Sequence, residues 1–199
     1  MKASRGCDFT RSTQRFCSPV AAVLRPEQRA TIPGEAQKTG WVGGDATPEV
    51  ACNMDFRDKV YTRADLQDGL YQALRALLPD LPELVVIGVG ELMQYLCTAS
   101  VRGAEWRGRS NWLASDNANT GSWIRWRYSQ VPVIQFLLRI LGVLETMRGF
   151  TTTGSYVRTY HNLLPDDMTR EGWEECEQKL LREGWRKVEL LDAWRYFLG

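Results

Sequence analysis

Four carboxylates follow one another along the chain: Asp45, Glu91, Asp116 and Asp166. Asp45 closes Gly40-Trp41-Val42-Gly43-Gly44-Asp45, which reads as a short strand ending in an acid. Asp116 closes Trp112-Leu113-Ala114-Ser115-Asp116 in the same way. Glu91 opens the apolar run Glu91-Leu92-Met93-Gln94-Tyr95-Leu96, a predicted helix start, and Asp166 opens a late helix. Hard divalent cations take oxygen ligands, and two such ions side by side can hydrolyse a phosphodiester. Each acid also has a simpler use. An Asp before a helix is most often an N-cap, which suits Asp116 and Asp166, and a Glu in a first turn favours the helix dipole. Only the set, in this order, points to a metal-dependent nuclease.

The rest of the composition bounds that chemistry. The 199 residues are 44% hydrophobic and 25% charged, which suits one globular domain with a core of normal size. A net charge of +1 excludes a global basic field, so any nucleic-acid surface must be local. Arg102, Arg107 and Arg109 form one basic cluster before the Asp116 strand; Arg125 and Arg127 flank Trp126. These could grip phosphates, and Asn117 and Asn119 could donate to a ribose or phosphate, although such arginines are commonly just solvated. Trp123 and Trp126 read as core or helix–helix contacts. No apolar run approaches bilayer length, and Met1 to Gly6 leads into no apolar stretch, so an intracellular setting, nuclear or cytoplasmic and not secreted, is expected. Five cysteines without a Cys-x-x-Cys pair read as reduced thiols rather than a zinc site. The single histidine, His161, excludes multi-histidine metal sites, and nothing in the sequence suggests a Cys-His catalytic pair.

The elements that must position the acids follow from patterning. Residues 1–38 are Pro- and Ser-containing and aperiodic, and read as an irregular N-terminal segment. Trp41–Ala46, Val50–Phe56 and Lys59–Thr62 read as three strands, the second returning antiparallel. Apolar positions 66, 70, 73, 74, 77 and 78 predict a helix over 64–78, ended by Pro79 and Pro82. A helix over Glu91–Ala99, a strand over Asn111–Ser115 and a short helix over Asn117–Trp126 come next. Pro132 starts the clearest helix and Gly149 stops it. Ser155–Tyr160 reads as a strand, residues from Pro165 onward as helical, and Val188–Phe197 as a final helix. Strands first, then alternation, predict an α/β fold with a mixed sheet and helices packed on it.

With acids at these positions, this order resembles the ribonuclease H fold. Gly43-Gly44-Asp45 stands where that family has a first-strand Asp before a tight turn. Glu91-Leu92-Met93 is similar to the start of its first helix, and Ser115-Asp116-Asn117 to the end of its fourth strand. Asn162-Leu163-Leu164-Pro165-Asp166-Asp167-Met168-Thr169-Arg170 resembles the Asn-x-x-Ala-Asp-x-Leu-Ser-Arg pattern of retroelement ribonuclease H domains. The stretch from Ser115 to Arg170 is similar to those of retrotransposons that encode a tyrosine recombinase. The likeness covers about residues 40–172. It departs from the family in a longer span before Glu91 and in Arg158-Thr159-Tyr160-His161, where the family has a Val-Pro-Gly-His-like segment.

The resemblance implies three antiparallel strands followed by parallel ones. The ribonuclease H-like domain would span 39–172 and a C-terminal helical extension 173–199. It implies that Asp45, Glu91, Asp116 and Asp166 bind two Mg²⁺ or Mn²⁺ ions and cleave the RNA strand of an RNA–DNA hybrid. The products would carry a 5′-phosphate and a 3′-hydroxyl. Asn117, Asn119, Arg125 and His161 would contact substrate, and Asp167 would favour the helix dipole. The rival expectation is an inactive module that keeps the fold. It would bind nucleic acid or serve a larger assembly, with a protein partner on the N-terminal segment or the C-terminal helices.

Overall fold

The computed structural model describes residues 38–66, 76 and 80–190. The chain forms an α/β domain built on one mixed six-stranded sheet in the order β5-β4-β1-β2-β3-β6. Strand β1 (Lys38–Ala46) turns back into β2 (Val50–Asp55), which turns into β3 (Val60–Asp65), all antiparallel. Thr47 closes the first turn: its N–H donates to the Val50 carbonyl (2.8 Å), and its hydroxyl accepts from Glu49 and Val50. Strands β4 (Arg109–Ser115) and β5 (Thr151–Tyr156) run parallel to β1 on its other side.

Helices α1 (Glu83–Arg102), α2 (Ala118–Trp126) and α3 (Pro132–Arg148) cover one face of the sheet. Their core holds Val42, Leu92, Leu96, Leu113, Ile124 and Leu141 with Trp106 stacked on Tyr95. Helix α3 keeps its expected limits, with Pro132 in the first turn and Gly149 at φ 75° as its left-handed stop. Beyond a 3₁₀ turn (Thr159–His161), the short helix α4 (Leu163–Asp167) lies over β1 and β2, and α5 (Trp173–Arg182) over β2 and β3, on the other face.

Several sequence expectations need correction. The helix carrying Glu91 does not begin there. It begins eight residues earlier, at Glu83, and places Glu91 in its buried middle. Val85, Val86, Gly88 and Gly90 are poor helix formers, but tertiary packing overrides them. A side chain at Gly88 would meet Thr120, Asn117 and Trp123 at 2.9–3.0 Å, so glycine is what lets α2 approach. The resulting twenty-residue α1 contains an 18-residue stretch of mean hydropathy 1.6 and is long and apolar enough to cross a membrane, contrary to the expected lack of such a run. Two-thirds of its most apolar stretch is buried, against the sheet and α3.

The predicted helix over 64–78 loses its start, because Ala64 and Asp65 belong to β3. Of the rest, only Leu66, in a turn, and Ala76 are among the described residues. The strand expected over Ser155–Tyr160 is Thr151–Tyr156 instead, with residues 159–161 in the 3₁₀ turn. Val188, expected in a final helix, donates its N–H to the Tyr61 carbonyl (2.9 Å), just past a short strand β6 (Arg186–Lys187) paired to β3. Leu180 and Trp185 pack on Cys52, Met54 and Tyr61, which ties the first part of the extension into the domain. Residues 1–37 and 191–199 lie outside the described residues.

One contact tests how tightly α2 is docked. A Cβ on Gly154 would stand 2.2 Å from the Gly121 carbonyl oxygen, a backbone atom that cannot rotate away. Gly154→Ala is therefore expected to destabilise the domain by about 1–3 kcal/mol or more, measured by urea unfolding. An unchanged midpoint would show that α2 and β5 part easily.

Candidate metal centre

The acidic site forms where β1 and β4 end side by side. Their parallel register sets Val42 beside Leu113 and Gly43 beside Ala114, so Asp45 and Asp116 come level two residues further on. Glu91 reaches the same point from α1. One carboxylate oxygen from each of Asp45, Glu91 and Asp116 lies within 4.8 Å of the other two. Asp45 and Glu91 are 6% and 2% exposed, whereas Asp116 is half-buried, so the site opens towards solvent at Asp116.

Burial of like charges shapes the electrostatics. Burial pushes the Glu91 carboxyl up to about 8; hydrogen bonds from Thr120 and Ser115 pull it down, and Asp45 and Asp116 push it up further. The Ser115 hydroxyl donates to Glu91 Oε2 at 2.8 Å. Burial also pushes Asp45 up to about 6; a hydrogen bond from Thr169 opposes this, while Asp116 and Asp166 reinforce it. Burial and like charge together favour the protonated forms of Glu91 and Asp45 when no cation is bound. Three oxygen donors that repel one another are a fitting donor set for a hard divalent cation.

Asp166 stands in the first turn of α4, near enough to raise Asp45 but outside the close group of three. Its Oδ1 accepts two N–H bonds from Arg170, at 2.6 and 2.9 Å. Asp116, a possible N-cap by sequence, leaves that role to Asn117, whose side chain accepts from the Asn119 N–H at 3.0 Å. The Asn117 amide also donates to the Leu84 carbonyl at 2.9 Å, so this side chain is already used in joining α2 to α1. Asn119 is half-buried in the first turn of α2.

Arg125 is exposed and lies over the exposed Trp126 ring, 5.3 Å from its centroid, so Trp126 is not the core contact expected of it. Trp123 does pack against the core. His161 is exposed in the 3₁₀ turn beside Tyr160, with ring centroids 4.2 Å apart. Of the arginines read as phosphate grips, Arg102 and Arg109 are buried and ion-paired with Asp55, Asp58 and Glu105, whereas Arg107 is exposed. Cys52 and Cys97 are buried and in no disulfide, and burial raises the Cys52 thiol far above the ordinary range.

Sequence reasoning missed the hydroxyls. The Thr169 hydroxyl makes a very short bond to Asp45, with the Asp166 carbonyl oxygen 3.0 Å away. The buried Asn162 amide donates to the Gly44 carbonyl at 3.0 Å, which fixes the turn before α4 against β1. A signal for Thr169 did exist, since it fills the Ser position of the retroelement pattern. Partners that orient ligands typically matter 10- to 100-fold in metal affinity. Thr169→Val is therefore expected to weaken Mn²⁺ binding about 10-fold by calorimetry, and Thr169→Ser to restore it. Equal affinities in all three would remove Thr169 from the site.

Comparison with protein-family models, curated proteins and solved structures finds no match to the chain.

Proposed function

We propose that the chain is a metal-dependent endonuclease of the ribonuclease H-like type, acting on the RNA strand of RNA–DNA hybrids. The observation that carries this reading is the convergence of Asp45, Glu91 and Asp116 from two adjacent strand ends and a packed helix. The sheet supports it as well, with three antiparallel strands followed by two parallel to the first and acids where those strands end.

Asp45, Glu91 and Asp116 would hold Mg²⁺ or Mn²⁺, and Asp166 would serve a second ion of the same kind. Bound there, these ions would supply charge to a phosphate and lower the pKa of an attacking water. The chain's own part is positional. Thr169 and Ser115 aim the Asp45 and Glu91 carboxylates, and burial keeps both from being hydrated. Exposed Arg125 and His161 would meet substrate at the rim, with Asn119 beside Asp116.

The test is cleavage of an end-labelled RNA–DNA hybrid with and without Mg²⁺ or Mn²⁺. Metal-dependent products that vanish in Asp116→Asn support the reading; an intact fold with no product in either metal overturns it. The Asp166–Arg170 ion pair favours a second reading, in which the fourth acid is already neutralised and the module binds nucleic acid without cutting. In that case hybrid would bind without turnover, and Arg170→Gln would leave cleavage absent.

A further inference from the structure

We propose that Trp41 and Trp112 form a stacking platform for an unpaired stretch of nucleic-acid strand continuing from the acidic site. The inference rests on the nuclease reading above. Trp41 and Trp112 are partners in the β1–β4 register and stack on one another, with ring centroids 5.6 Å apart and planes 28° apart. They are 50% and 38% exposed, so both rings present one face to solvent. Large exposed aromatic surface of this kind marks an interaction site.

Strand periodicity ties the platform to the acids. Residues two apart share a face, so Trp41, Gly43 and Asp45 line one face of β1, and Trp112 and Ala114 continue towards Asp116 on β4. Helix α4 covers this face over β1 and β2, and α5 covers it over β2 and β3. Pro165 and Phe56 close it above Gly43, while half-buried Ala114 leaves a path along β4. Four residues of strand span about 13 Å, which is about four nucleotides at 3.4 Å per step.

The surrounding chemistry suits a nucleic-acid strand more than a protein. Strand β5 presents Thr151, Thr153 and Ser155 beside Ser110, Trp112 and Ala114, a row of hydroxyls for phosphate and sugar. Strands β1, β4 and β5 together contain one acid, Asp45, so the floor carries no carboxylate before the cutting site. A cation sits at the other end, where exposed Arg57 donates to the Thr39 carbonyl at 3.3 Å. A flat aromatic surface with adjacent cations is how sequence-tolerant single-strand binders work, because every base has a face to stack.

The experiment measures fluorescence anisotropy of labelled RNA–DNA hybrids with the full chain, using Ca²⁺ to limit turnover. One hybrid is blunt; the others carry an unpaired extension on the 3′ or the 5′ end of the RNA strand. One extended hybrid is expected to bind about 10-fold tighter than the blunt one, as one stacked base would give. The advantage should disappear in Trp41→Ala/Trp112→Ala and largely survive in Trp41→Phe/Trp112→Phe. Equal binding of blunt and extended hybrids, or an advantage that survives the alanine pair, overturns the platform. So does a dimer, seen by sedimentation, that the alanine pair dissociates, because the face would then join two copies of the chain. Cleavage of the same hybrids in Mg²⁺ or Mn²⁺ separates the two readings. An extension advantage without metal-dependent cleavage in the unsubstituted chain would sink the nuclease and leave the platform standing.

Discussion

Asp55→Ala is expected to destabilise the protein by about 3–5 kcal/mol, the usual cost of stranding a buried charge. Asp55 sits at the end of β2, almost wholly buried, and the Arg109 guanidinium grips both of its oxygens, at 2.9 and 2.5 Å. The Trp106 indole adds a third bond at 2.9 Å, and Arg102 stands 3.6 Å away. Burial alone would raise the Asp55 carboxyl, but the Arg109 bonds and charge, with Trp106, outweigh it and hold the group below its ordinary 3.8. The sign follows: a carboxyl depressed in the folded state stabilises above its unfolded pKa, and that stability is lost as pH falls below about 4.

The neighbourhood has no room to adapt. Arg109 fills the space where a side chain on Gly40 would be, with its guanidinium about 2 Å from that Cβ position. Removing Asp55 leaves Arg109, 4% exposed, with only the partly exposed Asp58 at 3.0 Å, which also pairs with Arg102. Urea unfolding at pH 7 measures the effect. A loss below about 1 kcal/mol would mean that the ion pairs give way to water rather than holding the β1–β4 edge.

Glu91→Gln is expected to move stability and metal binding in opposite directions. Glutamine has the shape of glutamate and, like its protonated form, carries no charge. The Glu91 carboxyl is raised to about 8 from an unfolded value near 4.5, and Asp45 to about 6 from 3.8. Groups raised in this way stabilise the metal-free fold fully below their unfolded values. That contribution is lost as pH rises through about 6 and then about 8. In EDTA, thermal stability should therefore fall between about pH 4 and pH 8, and Glu91→Gln should flatten the upper part of that fall. At pH 9 the variant should be more stable than the parent by a few kcal/mol.

With divalent ion present the order reverses. Metal ligation needs the deprotonated acids, so binding releases protons and strengthens with pH. Loss of one charged ligand of three should weaken Mn²⁺ binding by two orders of magnitude or more. Paired calorimetry of the two proteins, with and without Mn²⁺, checks both halves. A variant that binds Mn²⁺ as tightly as the parent would remove Glu91 from the site.

Much of this architecture is legible along the chain because its causes are local. Pro132 and Gly149 bound their helix through fixed backbone preferences, and Thr47-Pro48 marks a turn between strands of opposite direction. Asp45 and Asp116 are readable as strand-end acids because each follows its own alternating strand. The length of α1 was not readable: valines and glycines before Glu91 argue against a helix, and only packing against Thr120 and Trp123 explains them. Nor was the fate of Arg102 and Arg109. Their spacing suggests a basic surface, but Asp55, some fifty residues earlier, meets them only once β2 and β4 flank β1.

The sequence by itself determined which residues could do chemistry and which strands end in acids, since residue type and strand pattern are local properties. The tertiary structure alone decided that Asp45, Glu91 and Asp116 share one partly buried point and that Asp166 is engaged by Arg170. It also decided that Trp41 lies against Trp112. Charge repulsion, burial and stacking act through space, and the parallel pairing of β1 with β4 sets those distances.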